Sequence, residues 1–324
     1  MTPGTEAYAV ANHTVGGIFS QYHGPSATSW GPDRIDLVAA ADAGTLLHRY
    51  YELGRGWFGW ETISPSEAGR DPLAHVPRWH SCSWGPNRLD VFGVKNGHLE
   101  HVWYQGGAND PGWGNFDDLG GQALTGYLAV AAPARGRLEV MAIDESGAIQ
   151  HLSFGPGGWS TWSTVEALGH VANRLMFTAT SPEHGVVDLF TVMAGDHQGL
   201  LSRARYTPGA GWGLWEPLGR GPAPLDLNSG SLAAASDGSK MWLFGMAAEG
   251  GNLMFTREFE WMLPGQQRGW ADWQYLTSAD HGGSACRRGT ALHVFASIDE
   301  HPANVYFEPG SIDERDIRTE ILNR

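Results

Sequence analysis

The apolar residues of this chain fall in short runs, each entered through one charged position. Ile35-Asp36-Leu37-Val38-Ala39-Ala40 and Leu138-Glu139-Val140-Met141-Ala142-Ile143 show the pattern. A strand that is wet on one face alternates apolar and polar residues along its length. In these runs both faces become apolar after the acid, which predicts strands covered on both sides. The runs end in turn signals. Asn96-Gly97 is a strong hairpin signal, and Asp42-Ala43-Gly44, Glu145-Ser146-Gly147 and Glu249-Gly250-Gly251 each place glycine where a positive φ is expected.

The runs repeat. Ser29-Trp30-Gly31-Pro32-Asp33-Arg34-Ile35-Asp36-Leu37-Val38 returns as Ser83-Trp84-Gly85-Pro86-Asn87-Arg88-Leu89-Asp90-Val91-Phe92. Weaker copies enter at Arg137, Val187, Lys240 and Ala291. The aligned positions 36, 90, 139, 188, 242 and 293 are 54, 49, 49, 54 and 51 residues apart, a period characteristic of solenoids and propellers. A second motif, Gly-Trp-x-x-Trp, keeps step at Trp57/Trp60, Trp113/Phe116, Trp159/Trp162, Trp212/Trp215 and Trp270/Trp273. It uses nine of the fifteen tryptophans.

Four short strands fit one period. In the second copy the first strand ends near Trp84, the second runs Arg88 to Lys95, the third His98 to Tyr104 and the fourth Trp113 to Leu119. Four-stranded antiparallel units packed face to face around an axis supply the two apolar faces, so the reading is an all-β chain, residues 1–324 forming a single β-propeller domain. A β-sandwich is the alternative, and it leaves the period unexplained. Repeat counting gives six blades, with Asp316 to Leu322 as the last outer strand. The segment Ala7 to His23 then lends a strand to the last blade and closes the ring. The rival is seven blades, the extra one built from the degenerate N-terminal residues 1–28.

Composition agrees. Glycine supplies 45 of 324 residues, about twice the usual share of roughly 7%, and such a sequence is poor in helix propensity. The formal net charge is −14. An acidic chain repels phosphate backbones and anionic lipid surfaces, so neither nucleic acid nor a membrane is an expected partner. No apolar run approaches the ~20 residues that span a bilayer. Met1 to Val10 holds no basic residue and no apolar core, so the expectation is a cytoplasmic protein or one released by a non-classical route. Cys82 and Cys286 form no CxxC or zinc pattern and read as two buried thiols in a reducing compartment.

The first two full units resemble the PLL-type bacterial propeller lectins. Those lectins carry tandem units of the form S-W-G-P-x-R-x-D, then an aromatic third strand, then G-W-x-x-W-E. Residues 29 to about 120 match well, with Leu46-Leu47-His48-Arg49-Tyr50-Tyr51 and Gly56-Trp57-Phe58-Gly59-Trp60-Glu61 completing the first unit. The later units match weakly, and Ser-Trp-Gly-Pro is missing from the last four. The resemblance implies seven blades and binding of fucose or related, including O-methylated, sugars between adjacent blades. The lost motifs imply fewer sites than blades.

Sugar recognition asks for an aromatic face and planar polar groups. The candidate carbohydrate-binding residues are Trp30, Arg34, His48, Tyr51, Trp84, Arg88, His101 and Trp103. Trp57 and Trp60 with their copies read as packing. The repeated acids Asp36, Asp90, Glu139 and Asp188 read as turn or backbone acceptors. His48, His101 and His151 follow them by eleven or twelve residues; they pair with those acids across the hairpin or meet a sugar hydroxyl. Arg34 and Arg88 fork onto sugar hydroxyls or onto the neighbouring acid.

No cofactor or metal motif is present, since each unit offers at most one histidine at the repeated position. Nucleophile elbows, phosphate loops and calcium loops are absent. Ser236-Asp237-Gly238-Ser239-Lys240-Met241-Trp242 only loosely resembles the boxes of propeller sialidases. The expected protein is therefore a lectin rather than an enzyme. Its partners are glycans or glycoconjugates, and it has the option of an oligomer. A propeller scaffold for protein partners and, behind it, a glycoside hydrolase are the alternatives.

Overall fold

The computed structural model describes residues 25–40, 46–64, 79–107, 112–193, 201–218, 232–238, 240–247, 251–260, 268–280, 282–298, 301–309 and 318–321. They form six antiparallel sheets in chain order. Blade 1 consists of Ser26–Gly31, Arg34–Ala40 and Leu46–Glu52, followed by an outer strand broken into Gly56–Trp57 and Glu61–Ser64. Blade 2 repeats this with Trp79–Cys82, Arg88–Lys95, His98–Gln105, and the pieces Gly112–Trp113 and Asp117–Asp118. Blades 3 to 6 span residues 124–164, 171–217, 232–278 and 285–321.

The first strands of consecutive blades lie side by side, and that of blade 6 lies against that of blade 1. The ring closes on six blades, not on the seven that the family resemblance implies. The closure is fastened by Ser284 Oγ, which donates to the Pro25 carbonyl at 2.5 Å. Arg318–Ile321 is the fourth strand of blade 6, inside the segment expected for it. The predicted contribution of Ala7 to His23, the Asp42-Ala43-Gly44 turn and Trp261 lie outside the described residues.

The hydrophobic core is divided into six clusters, one at each junction between neighbouring blades. Ile35 and Leu37 of blade 1 pack with Phe295 of blade 6. Val38, one residue on, packs with Leu89 and Val91 of blade 2. This is the physical reason for the doubly apolar runs: successive side chains of a second strand point to opposite faces, and both faces meet another sheet. Each fully buried side chain of this kind contributes about 1.5–3 kcal/mol.

Turn chemistry sets the strand ends. Asn96 and Gly97 both take positive φ, 52° and 79°, as a two-residue hairpin with the twist of its strands requires. In the Ser-Trp-Gly-Pro turns the serine works on the backbone. Ser29 Oγ donates to Gly31 O at 2.7 Å and Ser83 Oγ to Gly85 O at 3.0 Å. The glycine of Gly-Trp-x-x-Trp is fixed by conformation too, with φ between 69° and 87° at Gly56, Gly112, Gly158 and Gly211.

The motif's tryptophans pack the blades together, as their repetition predicts. The second one reaches back across a junction: Trp162 Nε1 donates to Leu119 O at 2.9 Å, and Trp215 Nε1 to Leu168 O at 2.8 Å. Two of the six tryptophans outside the motif are also structural. Trp242 is fully buried and donates to Asp237 at 2.8 Å. Trp79 covers Gly93, where a Cβ would stand 2.6 Å from the indole. Cys82 and Cys286 are buried free thiols whose pKa burial drives upward.

Candidate functional site

Each blade presents a forward face to the next blade and a backward face to the previous one, so the chemistry of the ring is concentrated at its junctions. In blade 1 the forward face carries Asp36, His48 and Tyr50, which share a face because Asp36 pairs with Tyr50 and Val38 with His48 across the hairpin. In blade 2 Asp90 pairs with Trp103 and Phe92 with His101, giving the same arrangement.

At the junction of blades 1 and 2, Arg34 is clamped between rings. Its guanidinium lies 4.0 Å from the Trp30 ring and 3.7 Å from that of Tyr50. It forks onto Asp36 through Nε and Nη2, at 2.9–3.2 Å, and its Nη1 reaches Glu52 at 3.1 Å. His48 Nε2 meets Asp36 at 2.9 Å, and its Nδ1 meets Glu61 at 2.7 Å. Blade 2 closes the box. Tyr104 stacks on Trp30 at 5.8 Å, and Trp113 stands edge-on to His48 at 5.1 Å while donating to Glu61 at 3.3 Å.

At the next junction Arg88 forks onto Asp90 through Nε and Nη2 and lies 4.4 Å from Trp84 and 5.6 Å from Trp103. His101 Nε2 meets Asp90 at 2.9 Å. Phe154 of blade 3 stacks on Trp84 at 5.7 Å, and Trp159 stands edge-on to His101 at 5.4 Å. Gly114 carries no side chain here because its Cβ would stand 2.9 Å from the Trp103 ring. Trp30, Trp84 and Trp103 are all partly exposed, whereas Asp36 and Asp90 are fully buried.

These contacts decide several sequence-level alternatives. Both arginines fork onto the neighbouring acid. The histidines pair with the acids across the hairpin, and His151 does so too, with Glu139 at 2.7 Å. The acids themselves are a correction: they are not turn or backbone acceptors but buried anchors for arginine and histidine side chains. A carboxylate inside a sheet needs such partners, since its backbone neighbours are already used by the ladder.

Seven of the eight candidate residues thus fall in two equivalent boxes. The eighth, Tyr51, does not. It faces blade 6, edge-on to Trp57 at 5.5 Å, with the Arg288 guanidinium 4.7 Å from its ring. Its neighbour Tyr50 is the true counterpart of Trp103, because a shift of one residue reverses the face of a strand. The signal was present in the sequence, since Tyr50 and Trp103 both follow their histidine by two residues. The sequence reads Trp113 and Trp159 as packing and singles out neither Tyr104 nor Phe154, because all four belong to the following blade and enter the site only through packing.

The remaining junctions depart by steps. Between blades 3 and 4 Glu139 and His151 survive, facing Trp212 at 6.0 Å. Between blades 4 and 5 arginines replace the histidine and the aromatic. Arg205 forks onto Asp188 at 2.7 Å, and Arg203 ties Glu216 and Glu258 at 2.7 and 3.1 Å. Hydrogen bonding to Asp188 raises the Arg205 pKa. Between blades 5 and 6 Trp242, Phe255 and Phe307 make an apolar plug. Between blades 6 and 1 His293 takes the acid position and pairs with Asn304 at 3.1 Å. Among the described residues no three His, Cys, Asp or Glu side chains converge as a metal site.

Two histidines show opposite electrostatics. Burial disfavours the charged form of His48, but its bonds to Asp36 and Glu61 outweigh this and raise its pKa. The same contact with His48 lowers the pKa of Glu61. Among the described residues no acid pairs with His293, and burial pushes it down to about 4.

Comparison with solved structures places the ring among six-bladed propellers. AofleA from Arthrobotrys oligospora superposes with a TM-score of 0.67 at 13% identity, over 94% of this chain and 88% of its own. A fucose-specific lectin from Aleuria aurantia, whose fold is a six-bladed β-propeller, gives 0.66 at 15% identity, over 94% and 96%. The BP39L lectin from Burkholderia pseudomallei gives 0.61 at 17% identity, over 90% and 97%. At these identities the likeness is one of fold. No family model matches the sequence, and no curated protein does.

Proposed function

We propose that this protein is a non-enzymatic, carbohydrate-binding propeller that takes fucose or a related, O-methylated sugar at the junctions between blades. The observation that carries the reading is the pair of boxes at junctions 1/2 and 2/3. Each sets a partly exposed indole beside an arginine and a histidine that a buried acid holds in place. An aromatic face with fixed, planar polar groups around it is what a sugar ring requires. Trp30, Arg34 and His48 serve the first box, and Trp84, Arg88, His101 and Trp103 the second. The fold likeness to a fucose-specific lectin and to a lectin solved with alpha methyl fucoside supports the choice of sugar.

Sites on one rigid ring bind a surface-displayed glycan by avidity even when each is weak. A glycan array that includes methylated fucosides tests the reading. Binding of fucosylated glycans supports it, and a blank array for a folded sample rejects it.

A further inference from the structure

The two boxes differ at two register positions. Glu52, opposite Arg34, is replaced by Gln105 opposite Arg88, and Glu61, opposite His48, by Asp117 opposite His101. In blade 1 both glutamates bond into their own box. Glu52 takes Arg34 Nη1, and Glu61 Oε1 bridges His48 Nδ1 at 2.7 Å and Trp113 Nε1 at 3.3 Å. In blade 2 neither acceptor is supplied. The Gln105 amide bonds the Gly106 carbonyl at 3.5 Å, and Asp117, one methylene shorter, is exposed. Among the described residues nothing bonds the buried His101 Nδ1. Yet the cradle between the rings has not collapsed. His101 and Trp159 stand 5.4 Å apart at 78°, against 5.1 Å and 74° for His48 and Trp113 with Glu61 in place.

We propose that junction 2/3 is a hydroxyl-binding site in which a ligand O–H bridges His101 Nδ1 and Trp159 Nε1, at the place that Glu61 occupies in junction 1/2. In junction 1/2 Glu61 fills this one subsite itself, so a sugar there is held without it. The proposal deepens the carbohydrate reading and rests on it for the ligand's identity. The tautomer selects the group. His101 Nε2 faces the Asp90 carboxylate at 2.9 Å, so a singly protonated ring carries its proton on Nε2, and Nδ1 then offers a lone pair. Trp159 Nε1 can only donate. A hydroxyl satisfies both, donating to Nδ1 and accepting from the indole. A carboxylate or an ammonium satisfies one of the two. The same logic explains blade 1, where a carboxylate occupant goes with a histidine held toward its charged form. Junction 3/4 repeats the arrangement in weaker form. Ser163 stands opposite His151, and among the described residues nothing bonds the buried Trp212 Nε1.

The test reads indole and imidazole nitrogen resonances of the whole protein while alpha-methyl fucoside is added, with methyl mannoside and methyl galactoside as further probes. The Trp159 indole and His101 Nδ1 signals are expected to move and the Trp113 indole to stay. Asp117→Glu is expected to shift the Trp159 indole toward the Trp113 position without sugar, and to weaken binding at that junction at least tenfold. Glu61→Ala is expected to open the same hydroxyl subsite at junction 1/2 and to tighten sugar binding there. Binding that leaves Trp159 and His101 unmoved overturns this proposal and leaves the carbohydrate reading standing. So does Asp117→Glu binding as tightly as the wild type although its Trp159 signal has moved. An Asp117→Ala variant whose free spectrum shows His101 displaced also overturns it, because Asp117 then already fills the cradle. Failure of every probe to bind the folded wild type overturns both readings together.

Discussion

The junction of blades 2 and 3 and that of blades 5 and 6 use the same strand positions for opposite purposes. At the first, the positions hold Asp90, His101 and Trp103, a buried acid with a charged and aromatic shell. At the second they hold Trp242, Phe255 and Arg257, and the two rings pack with Phe307. Both junctions support the same blade-on-blade geometry. The fold needs these positions filled, and it tolerates polar filling only where every buried charge has a partner. Polar filling therefore leaves paired donors and acceptors at the junction, and apolar filling leaves only core.

The sharpest way to break this comparison is to empty the apolar junction. Trp242→Ala removes a fully buried indole and its bond to Asp237. It is expected to cost about 3–5 kcal/mol in chemical denaturation while leaving sugar binding unchanged in whatever fraction stays folded. Asp90→Ala attacks the polar junction instead. It strands the Arg88 guanidinium and His101 in a site that Asp90 neutralised. The expected cost is about 3 kcal/mol, the lower end for a broken buried pair. The companion variant Asp90→Asn should recover part of the stability and little of the binding.

Junction 6/1 is the intermediate case, with a histidine at the acid position. His293 sits at about 4 in the folded chain, below the ~6.5 of an unfolded one. As pH falls below ~6.5 the unfolded chain takes up a proton that the folded one refuses, so stability declines from there down to pH about 4. The loss is of order 2–3 kcal/mol, and His293→Gln should remove it in denaturation curves at pH 7 and 4.5. His48 works in the other sense. Its raised pKa contributes stability that is present below the unfolded value and is lost as pH rises through the folded one. The smallest structural effect belongs to Trp84→Ala. This ring is partly exposed, so the melting temperature should fall by only a few degrees while affinity for fucosides at junction 2/3 drops at least tenfold. If the variant unfolds instead, Trp84 is core.

The sequence by itself determined the architecture. A strand that must be covered on both sides reads as apolar on both faces, and runs such as Ile35 to Ala40 said so directly. The six aligned positions 36, 90, 139, 188, 242 and 293 counted the units, and Asn96-Gly97 set a hairpin because few dipeptides accept two positive φ values. The pairing of His48 with Asp36 and of His101 with Asp90 was also legible, since both residues sit on one hairpin a fixed distance apart. What only the tertiary structure decided is everything that crosses a junction. Tyr51 and Tyr50 are adjacent in the chain yet face different blades, and Trp113 completes a box begun 83 residues earlier at Trp30. Glu61 fills its cradle and Asp117 does not, for want of one methylene. Local sequence fixes which way a side chain points along its own strand. What it meets there is supplied by a neighbouring sheet, and that becomes visible only when the ring is closed.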